Sequence, residues 1–261
     1  MRKELLLFTL LILALAGGCR RTTSFVGTDM NLGFSQDTVY LDTVFSGVGS
    51  STRTLKIYNT SSEDMTVDRV YLARGEESFY RLNVDGVSGR LVENVEILAG
   101  DSAYVFIEIS PDAAGLTQLV YEDSIFFENG SVSQQVLLVT AVWDAIYHFP
   151  TNVLTIARPD PLPPLKLAYS VLEENAFWDN SKPHVIYGYA VVDSAQSLTI
   201  APGTQVHFHS GSGLWVYRDG LLEVDPQRSG SMSDPVVFQG DRLEPSYEWV
   251  PGQWGGLLGG V

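Results

Sequence analysis

Cysteine is almost absent from this chain of 261 residues, whose only thiol belongs to Cys19. The rest of the sequence therefore has no thiol for a disulfide, a zinc thiolate site or a cysteine nucleophile. The chain also lacks the Gly-x-Ser-x-Gly nucleophile turn, the phosphate-binding loop, the dinucleotide-binding fingerprint and the EF-hand loop. Folding must rest on hydrophobic burial, and 45% apolar residues can build one large core or two ordinary ones.

Basic residues are scarce as well. The chain has 16 lysines and arginines against 31 aspartates and glutamates, so its formal net charge is −15. A surface of this sign repels nucleic acid and anionic lipid headgroups. We therefore expect no nucleic-acid partner, and attachment to a membrane must come from a lipid rather than from a basic patch.

The apolar run near the N-terminus, residues 5–16, has about 12 residues, whereas a membrane-spanning helix needs roughly 20. Arg2 and Lys3 precede it, and the sequence Leu-Ala-Gly-Gly-Cys follows and ends on Cys19. This arrangement resembles the signal peptide and lipobox of bacterial lipoproteins. The resemblance implies a signal peptide over 1–18, lipidation of Cys19 with acyl chains such as palmitate, and a lipidated tether over 19–33.

The same resemblance implies a lipid-anchored protein of the cell envelope, and we expect the outer membrane. Surface-exported lipoproteins of the Bacteroidota usually carry acidic residues after the lipidated cysteine, whereas Arg20 and Arg21 follow it in this chain. The periplasmic and the surface face therefore both stay open. Ordinary secretion with an unmodified thiol is the alternative.

Residues 34–144 predict a β-sandwich, because short alternating segments are separated by turn residues and no amphipathic helix interrupts them. Along 103–109 the odd-numbered residues share one face, while Tyr104, Phe106 and Glu108 take the other. Asn129-Gly130 is a hairpin turn sequence. The candidate strands are 38–44, 52–58, 66–72, 79–84, 92–98, 103–109, 124–128 and 132–142.

Two stretches of this half resemble hydin-like and related immunoglobulin-fold domains of bacterial surface proteins. They are FSGVGSSTRTLKIYNTSSEDMTVDRVYL at 45–72 and EILAGDSAYVFIEI at 96–109. In those domains a hairpin leads to a strand that ends in Asn, followed by a polar turn and a third strand. The resemblance implies an immunoglobulin-like sandwich that serves as a scaffold or docking module and catalyses no reaction.

Residues 145–183 are predicted to be a proline-rich linker that leads into a second domain, since RPDPLPP at 158–164 disfavours helix and favours an extended spacer. Residues 153–156 have a strand-like pattern and fit either side of this boundary. From residue 184 onward short apolar runs are separated by turns, which suits the rungs of a coil that stacks on itself.

The sequences VIYGYAVVDSAQSLTIAPGTQVHF, LWVYRDGLLEV, PVVFQGDR and GQWGG resemble the first turns of right-handed parallel β-helix lipoproteins. The resemblance implies that 184–261 form the N-terminal part of a parallel β-helix. Such a fold needs at least about three coils and a cap, so we expect a truncated β-helix, with a small closed cap as the alternative. The apolar side chains that we expect inside the coil are Leu198, Ile200, Val206, Phe208, Leu221, Val224, Val236 and Phe238.

His207 and His209 lie two residues apart and would form half of a metal site, with His184 one coil away. We interpret them instead as a solvated pair outside a rung with Phe208 inside, and we assign neither a metal nor any other cofactor. Enzymes of the β-helix type use carboxylates with basic partners on the solvent face. The residues in such places are Asp219, Glu223, Asp225, Asp234, Asp241, Arg218, Arg228 and Arg242, but turn formation and solubility explain them, so we assign no catalytic residue.

Exposed aromatic residues are the remaining indication of binding, because aromatic faces stack on sugar rings. Trp215, Tyr217 and Trp249 are the candidate ligand contacts, with core packing as the alternative. The leading hypothesis is a non-enzymatic, envelope-anchored lipoprotein that acts as a scaffold, adhesion or glycan-contact module, with the membrane, glycans or other envelope proteins as partners. The second is the N-terminal portion of a polysaccharide-acting β-helix enzyme whose catalytic coils are missing.

Overall fold

A computed structural model describes residues 31–112, 119–226 and 234–259. Within these ranges the chain forms 22 β-strands, and the only helical segments are two single turns of 3-10 helix at Gly75–Glu77 and Pro245–Tyr247. The predicted all-β class is confirmed. None of the described residues belongs to a helix of the length and hydrophobicity that crossing a bilayer requires.

The first ten strands form two five-stranded sheets. Their bounds are β1 Leu32–Phe34, β2 Thr38–Phe45, β3 Arg53–Asn59, β4 Met65–Leu72, β5 Tyr80–Val84, β6 Val87–Gly89, β7 Leu91–Ile97, β8 Ser102–Ile109, β9 Val120–Asn129 and β10 Val132–Trp143. The first sheet has the order β1-β3-β8-β5-β6 and the second β2-β10-β9-β4-β7. All neighbours pair antiparallel except β2 and β10, which run parallel.

The two sheets enclose one apolar core, to which both contribute alternate residues. The alternation predicted for 103–109 is confirmed, because Ile107 and Ile109 are fully buried while Tyr104 and Phe106 remain 45% and 39% exposed. Burial of one such aliphatic side chain contributes about 1.5–3 kcal/mol. The sheet therefore has one face in the core and one face toward solvent.

A buried amide closes the turn that follows β3. Asn59 is 1% exposed, and its Nδ2 lies 2.8 Å from the carbonyl oxygen of Glu63 and 3.0 Å from that of Ile97. Its Oδ1 accepts a hydrogen bond from the backbone N–H of Ser61 at 3.0 Å. The side chain thus satisfies backbone groups of two chain segments that would otherwise be buried without partners.

The remaining twelve strands form three further sheets. Their bounds are β11 Ile146–His148, β12 Asn152–Ile156, β13 Leu165–Val171, β14 Ala176–Trp178, β15 His184–Ile186, β16 Tyr189–Val192, β17 Ser197–Ile200, β18 Gln205–Phe208, β19 Gly213–Val216, β20 Leu221–Val224, β21 Val237–Gly240 and β22 Gly256–Gly259. The orders are β11-β15-β18-β21, β12-β13-β16-β19-β22 and β14-β17-β20.

From β14 onward the chain visits these three sheets in turn, and each new strand pairs in parallel with the strand one round earlier. We call this stacked part, together with the earlier strands β11 to β13 of the same sheets, the coil. Only β12 and β13 pair antiparallel, and the proline-rich stretch 158–164 connects them. That stretch therefore lies in a hairpin connection, and residues 145–183 contain four strands.

Apolar residues of all three sheets meet inside the coil, and the predicted Leu198, Ile200, Val206 and Phe208 are fully buried there. Val236 and Phe238 pack against them, partly buried. The prediction for Leu221 was wrong, because it aligns with the outward Ser197 and is 52% exposed, whereas Leu222 aligns with Leu198 and packs inside.

Val224 aligns with the buried Ile200 but is 41% exposed, so the expected burial was also wrong. Strand β20 is the edge strand of its sheet among the described residues, and no strand covers its far side. An inward orientation therefore does not suffice for burial at this position.

Candidate functional site

We call the first ten strands, whose two sheets enclose one core, the sandwich. The sandwich and the coil meet at a small apolar core, which we call the junction. Only Asp144 and Ala145 separate β10 from β11. Phe45 and Ala145 pack there with Val185 of β15, all of them buried. Partly buried side chains close around this core: Val48, Trp143, Tyr147, Tyr187 and Leu243. A two-residue connection together with a shared core restricts how far one part can turn against the other.

His207 lies at the centre of the junction. It faces outward from β18, as its neighbour Phe208 faces the coil core, yet it is fully buried. Its ring lies 4.8 Å from the ring of Phe45 and 6.4 Å from that of Trp143. Nδ1 lies 3.1 Å from the carbonyl oxygen of Gly240, which can only accept, so Nδ1 donates. Burial lowers the pKa of His207 and favours the neutral imidazole.

The expectation of a solvated histidine pair was therefore wrong for His207 and right for the exposed His209 and the buried Phe208. The strand period correctly places both imidazoles outside the coil. What it could not show is that the sandwich covers one of them. Among the residues that the structure describes, no three histidine, cysteine, aspartate or glutamate side chains are grouped so that they could hold a metal ion.

Polar contacts secure one side of the junction. Lys182 Nζ lies 2.5 Å from Asp144 Oδ2, and Ser46 Oγ donates to Asp144 Oδ1 at 3.4 Å. The hydrogen bond from Lys182 is the main reason why the pKa of Asp144 is lowered. The Tyr147 hydroxyl donates to the carbonyl oxygen of Ser46. Because about half of both charged side chains is exposed, the ion pair itself adds at most about 1 kcal/mol.

The other side of the junction is a cleft of about 170 Å³ in which two hydrogen-bonded polar pairs lie. His209 Nδ1 is 2.7 Å from Asp241 Oδ2, and the His209 ring stacks on Tyr187 at 4.6 Å. Arg242 donates from Nε and Nη2 to the carboxylate of Glu244, and the shortest of these contacts is 2.7 Å. Each of these four side chains thus has a hydrogen-bond partner within the cleft, which is a structural arrangement rather than a free acid or base.

Of the eight charged residues named as positions of enzyme-like chemistry, the structure brings Asp241 and Arg242 to the same cleft. Glu223 lies on β20 and accepts a hydrogen bond of 3.4 Å from Thr199. Arg218 and Asp219 form the turn between β19 and β20. Arg228 lies outside the described residues.

The three candidate aromatic contacts are distributed over two places. Trp215 on β19 is partly buried and meets Tyr217 edge to face, with ring centroids 5.7 Å apart. Arg218 lies over the Tyr217 ring at 5.0 Å. Trp249 is 85% exposed, and among the described residues no ring contact joins it to the other two. The predicted lipidation site, Cys19, lies outside the described residues.

A second pair of histidines, which the sequence reasoning did not identify, lies inside the coil near its first rung. His148 Nε2 and His184 Nδ1 are 3.0 Å apart, and the Trp178 ring lies 4.7 Å from both imidazoles. Burial and the neighbouring His184 lower the pKa of His148 to about 4, and burial also lowers the pKa of His184. The inward direction of His184 follows from the register of β15, in which His184 aligns with the buried Val206.

Comparisons with known proteins give no family. No protein-family model matches the chain, and no curated protein matches it. Among solved structures, a family 123 glycoside hydrolase from Clostridium perfringens aligns over 57% of this chain and 30% of its own length, with 11% identity and a TM-score of 0.34. The periplasmic chaperone SfaE aligns over 53% of this chain and 82% of its own, with 10% identity and a TM-score of 0.28. Both likenesses are too weak to carry an argument about function.

Proposed function

We propose that this chain is a non-enzymatic lipoprotein of the cell envelope, held to the outer membrane by a lipid on Cys19, that presents its coil at a fixed orientation. In this proposal the first ten strands are an immunoglobulin-like sandwich and the coil is a right-handed parallel β-helix. The junction is the single observation that carries the proposal. A scaffold must hold the part that it presents at a fixed orientation. A core shared by the sandwich and the coil does so, whereas a flexible linker would not.

The size of the junction supports a stiff connection. Burial of Phe45 and Val185 contributes about 1.5–3 kcal/mol each, and the covered imidazole of His207 adds ring contacts with Phe45 and Trp143. Rotation of the coil away from the sandwich would expose these side chains together. The partners that fit this role are the membrane, through the lipid, and glycans or other proteins of the envelope.

Distances between two spin labels test the stiffness. In a Cys19→Ser background, cysteines that replace the exposed Glu93 of the sandwich and Asp219 of the coil carry the spin labels. Pulsed electron paramagnetic resonance measures the distance between the two labels. We expect one narrow distance distribution, which Phe45→Ala broadens and the matched change of an exposed ring, Phe177→Ala, leaves unchanged. A broad distribution in the unaltered junction would contradict the proposal.

Anchoring is tested separately in cells. Labelled palmitate should be incorporated into the full chain, which should then fractionate with the membranes. The Cys19→Ser variant should take up no label and leave the membrane fraction. Equal labelling of both proteins would exclude Cys19 as the attachment site.

A further inference from the structure

The solvent face of the first sandwich sheet carries two neighbouring exposed aromatic rings. Tyr104 and Phe106 point outward from β8, with ring planes only 14° from parallel and centroids 6.2 Å apart. They are 45% and 39% exposed, although the outer face of such a sheet is ordinarily polar. Two adjacent exposed rings form an apolar platform of the kind against which the C–H face of a sugar packs.

Cationic side chains flank this platform on both neighbouring strands. On β3, Lys56 Nζ lies 5.2 Å from the ring centroid of Tyr58 and 5.3 Å from that of Tyr104. On β5, Arg81 lies opposite Glu108, but their closest charged atoms are 4.0 Å apart, and the Arg81 side chain is 56% exposed. Its guanidinium donates one hydrogen bond, to Ser110 Oγ at 3.0 Å, so several N–H groups still face solvent.

A groove of about 420 Å³ begins at the edge of the platform, within the size range of small-ligand sites. Polar groups line it together with the Phe106 ring: Arg81, Asn83, Ser88, Arg90 and Glu108. Arg90 is held in place by Glu76 at 3.1 Å and by the carbonyl oxygen of Ser78. The groove therefore combines a ring, hydroxyl and amide groups and two guanidinium groups, each of which has one carboxylate within 4.0 Å.

Lys56 adds a third cationic side chain beside the Tyr104 ring, so three cationic groups meet on this face of a chain of net charge −15. We propose that the platform, defined as Tyr104, Phe106 and the adjoining groove, binds an oligosaccharide that carries carboxylate groups. The rings pack against a sugar face, and the exposed guanidinium of Arg81 receives the carboxylate, for which its planar N–H fork is suited. The neutral polar groups of the groove form hydrogen bonds with the sugar hydroxyls. This site is independent of the junction.

Titration calorimetry with the purified full chain tests the proposal. The probes are oligogalacturonate, oligoalginate and hyaluronan oligosaccharides, each with its methyl-esterified form, in which the carboxylate is neutral. We expect at least one free acid to bind and its ester to bind about tenfold more weakly. Failure of all three acids to bind, or equal binding of acid and ester, would overturn the proposal.

Variants distinguish the platform from other exposed rings. Phe106→Ala should weaken binding of the acid about tenfold, while Arg81→Gln should weaken binding of the acid and leave that of the ester unchanged. Both positions are exposed, so the fold should persist, which circular dichroism checks. Phe177→Ala, at 63% exposure, is the matched control and should bind normally. Loss of binding in Trp249→Ala with normal binding in Phe106→Ala would move the site to the coil and refute the assignment.

Discussion

Mild acid should destabilise the coil through the histidine pair inside it. The ordinary pKa of histidine is 6.5, and the pKa of His148 in the folded chain is about 4. Between these values the unfolded chain binds a proton that the folded chain does not, so stability falls as the pH falls. The full difference corresponds to about 3 kcal/mol, of which about 2 kcal/mol should be lost by about pH 5. His184, whose pKa is also lowered, acts in the same direction.

The environment of the pair offers no strong compensation. The groups that face it are the Trp178 ring, which is neutral, and Asp179, whose charge favours protonated His184 only weakly against its burial. The two imidazoles are coupled, so their protons must be counted for the pair rather than for one ring. Protonation of either ring places a positive charge beside a second imidazole in the coil core.

Urea unfolding between about pH 7 and about pH 5 measures the effect, with His148→Phe as the matched variant that keeps an aromatic ring and cannot bind a proton. Over this interval we expect the free energy of unfolding to fall by about 2 kcal/mol less in the variant than in the unaltered chain. The buried His207 is present in both proteins and cancels, and carboxylates such as Asp144, whose pKa is lowered, titrate at more acid pH. Parallel pH dependences of the two proteins would refute the reasoning.

Three further changes test the fold. Asn59→Leu leaves buried carbonyl groups without a donor and should cost about 1–3 kcal/mol in thermal or urea unfolding, so an unchanged midpoint would contradict the assigned hydrogen bonds. Gly213→Ala would place a Cβ 2.4 Å from the carbonyl oxygen of Gly256. The free energy of opening of β19 and β22, measured by hydrogen exchange, should therefore fall by about 1–3 kcal/mol. Leu222→Ser should destabilise the coil by about 2 kcal/mol, whereas Leu221→Ser should leave the melting temperature nearly unchanged; the reverse order would refute the register of β20.

Most strands of the sandwich could be predicted because each has one buried and one solvated face, which leaves a period of two in the sequence. The predicted 38–44 became β2 at Thr38–Phe45, and 103–109 became β8 at Ser102–Ile109. The two strands that were missed, β1 and β6, have three residues each, too few for a period to be recognised. β1 pairs with β3, more distant in the chain, whereas β6 pairs with the preceding β5 across Asp85-Gly86, a hairpin turn sequence that was overlooked.

The candidate sites were harder to predict because they arise from register and packing. The alternation of β8 correctly turned Tyr104 and Phe106 outward, but only strand order places Lys56 and Arg81 beside them. Trp215 and Trp249 are candidates because aromatic faces stack on sugar rings, and residue type alone could not show that one is partly buried and the other 85% exposed.

The sheet β11-β15-β18-β21 is buried on both faces in its two central strands. In β15 all three residues are buried, and in β18 Val206, His207 and Phe208 are buried in succession. A period of two fails there because the coil core covers one face and the sandwich covers the other. On the other two sheets the outward Ser197 and Trp215 keep partial exposure, whereas the outward Val191 of β16 is only 5% exposed. The outward Val185 has no exposed surface and packs against Phe45 and Ala145 in the junction, so a polar substitution there should loosen the junction while leaving the inward Ile186 packed.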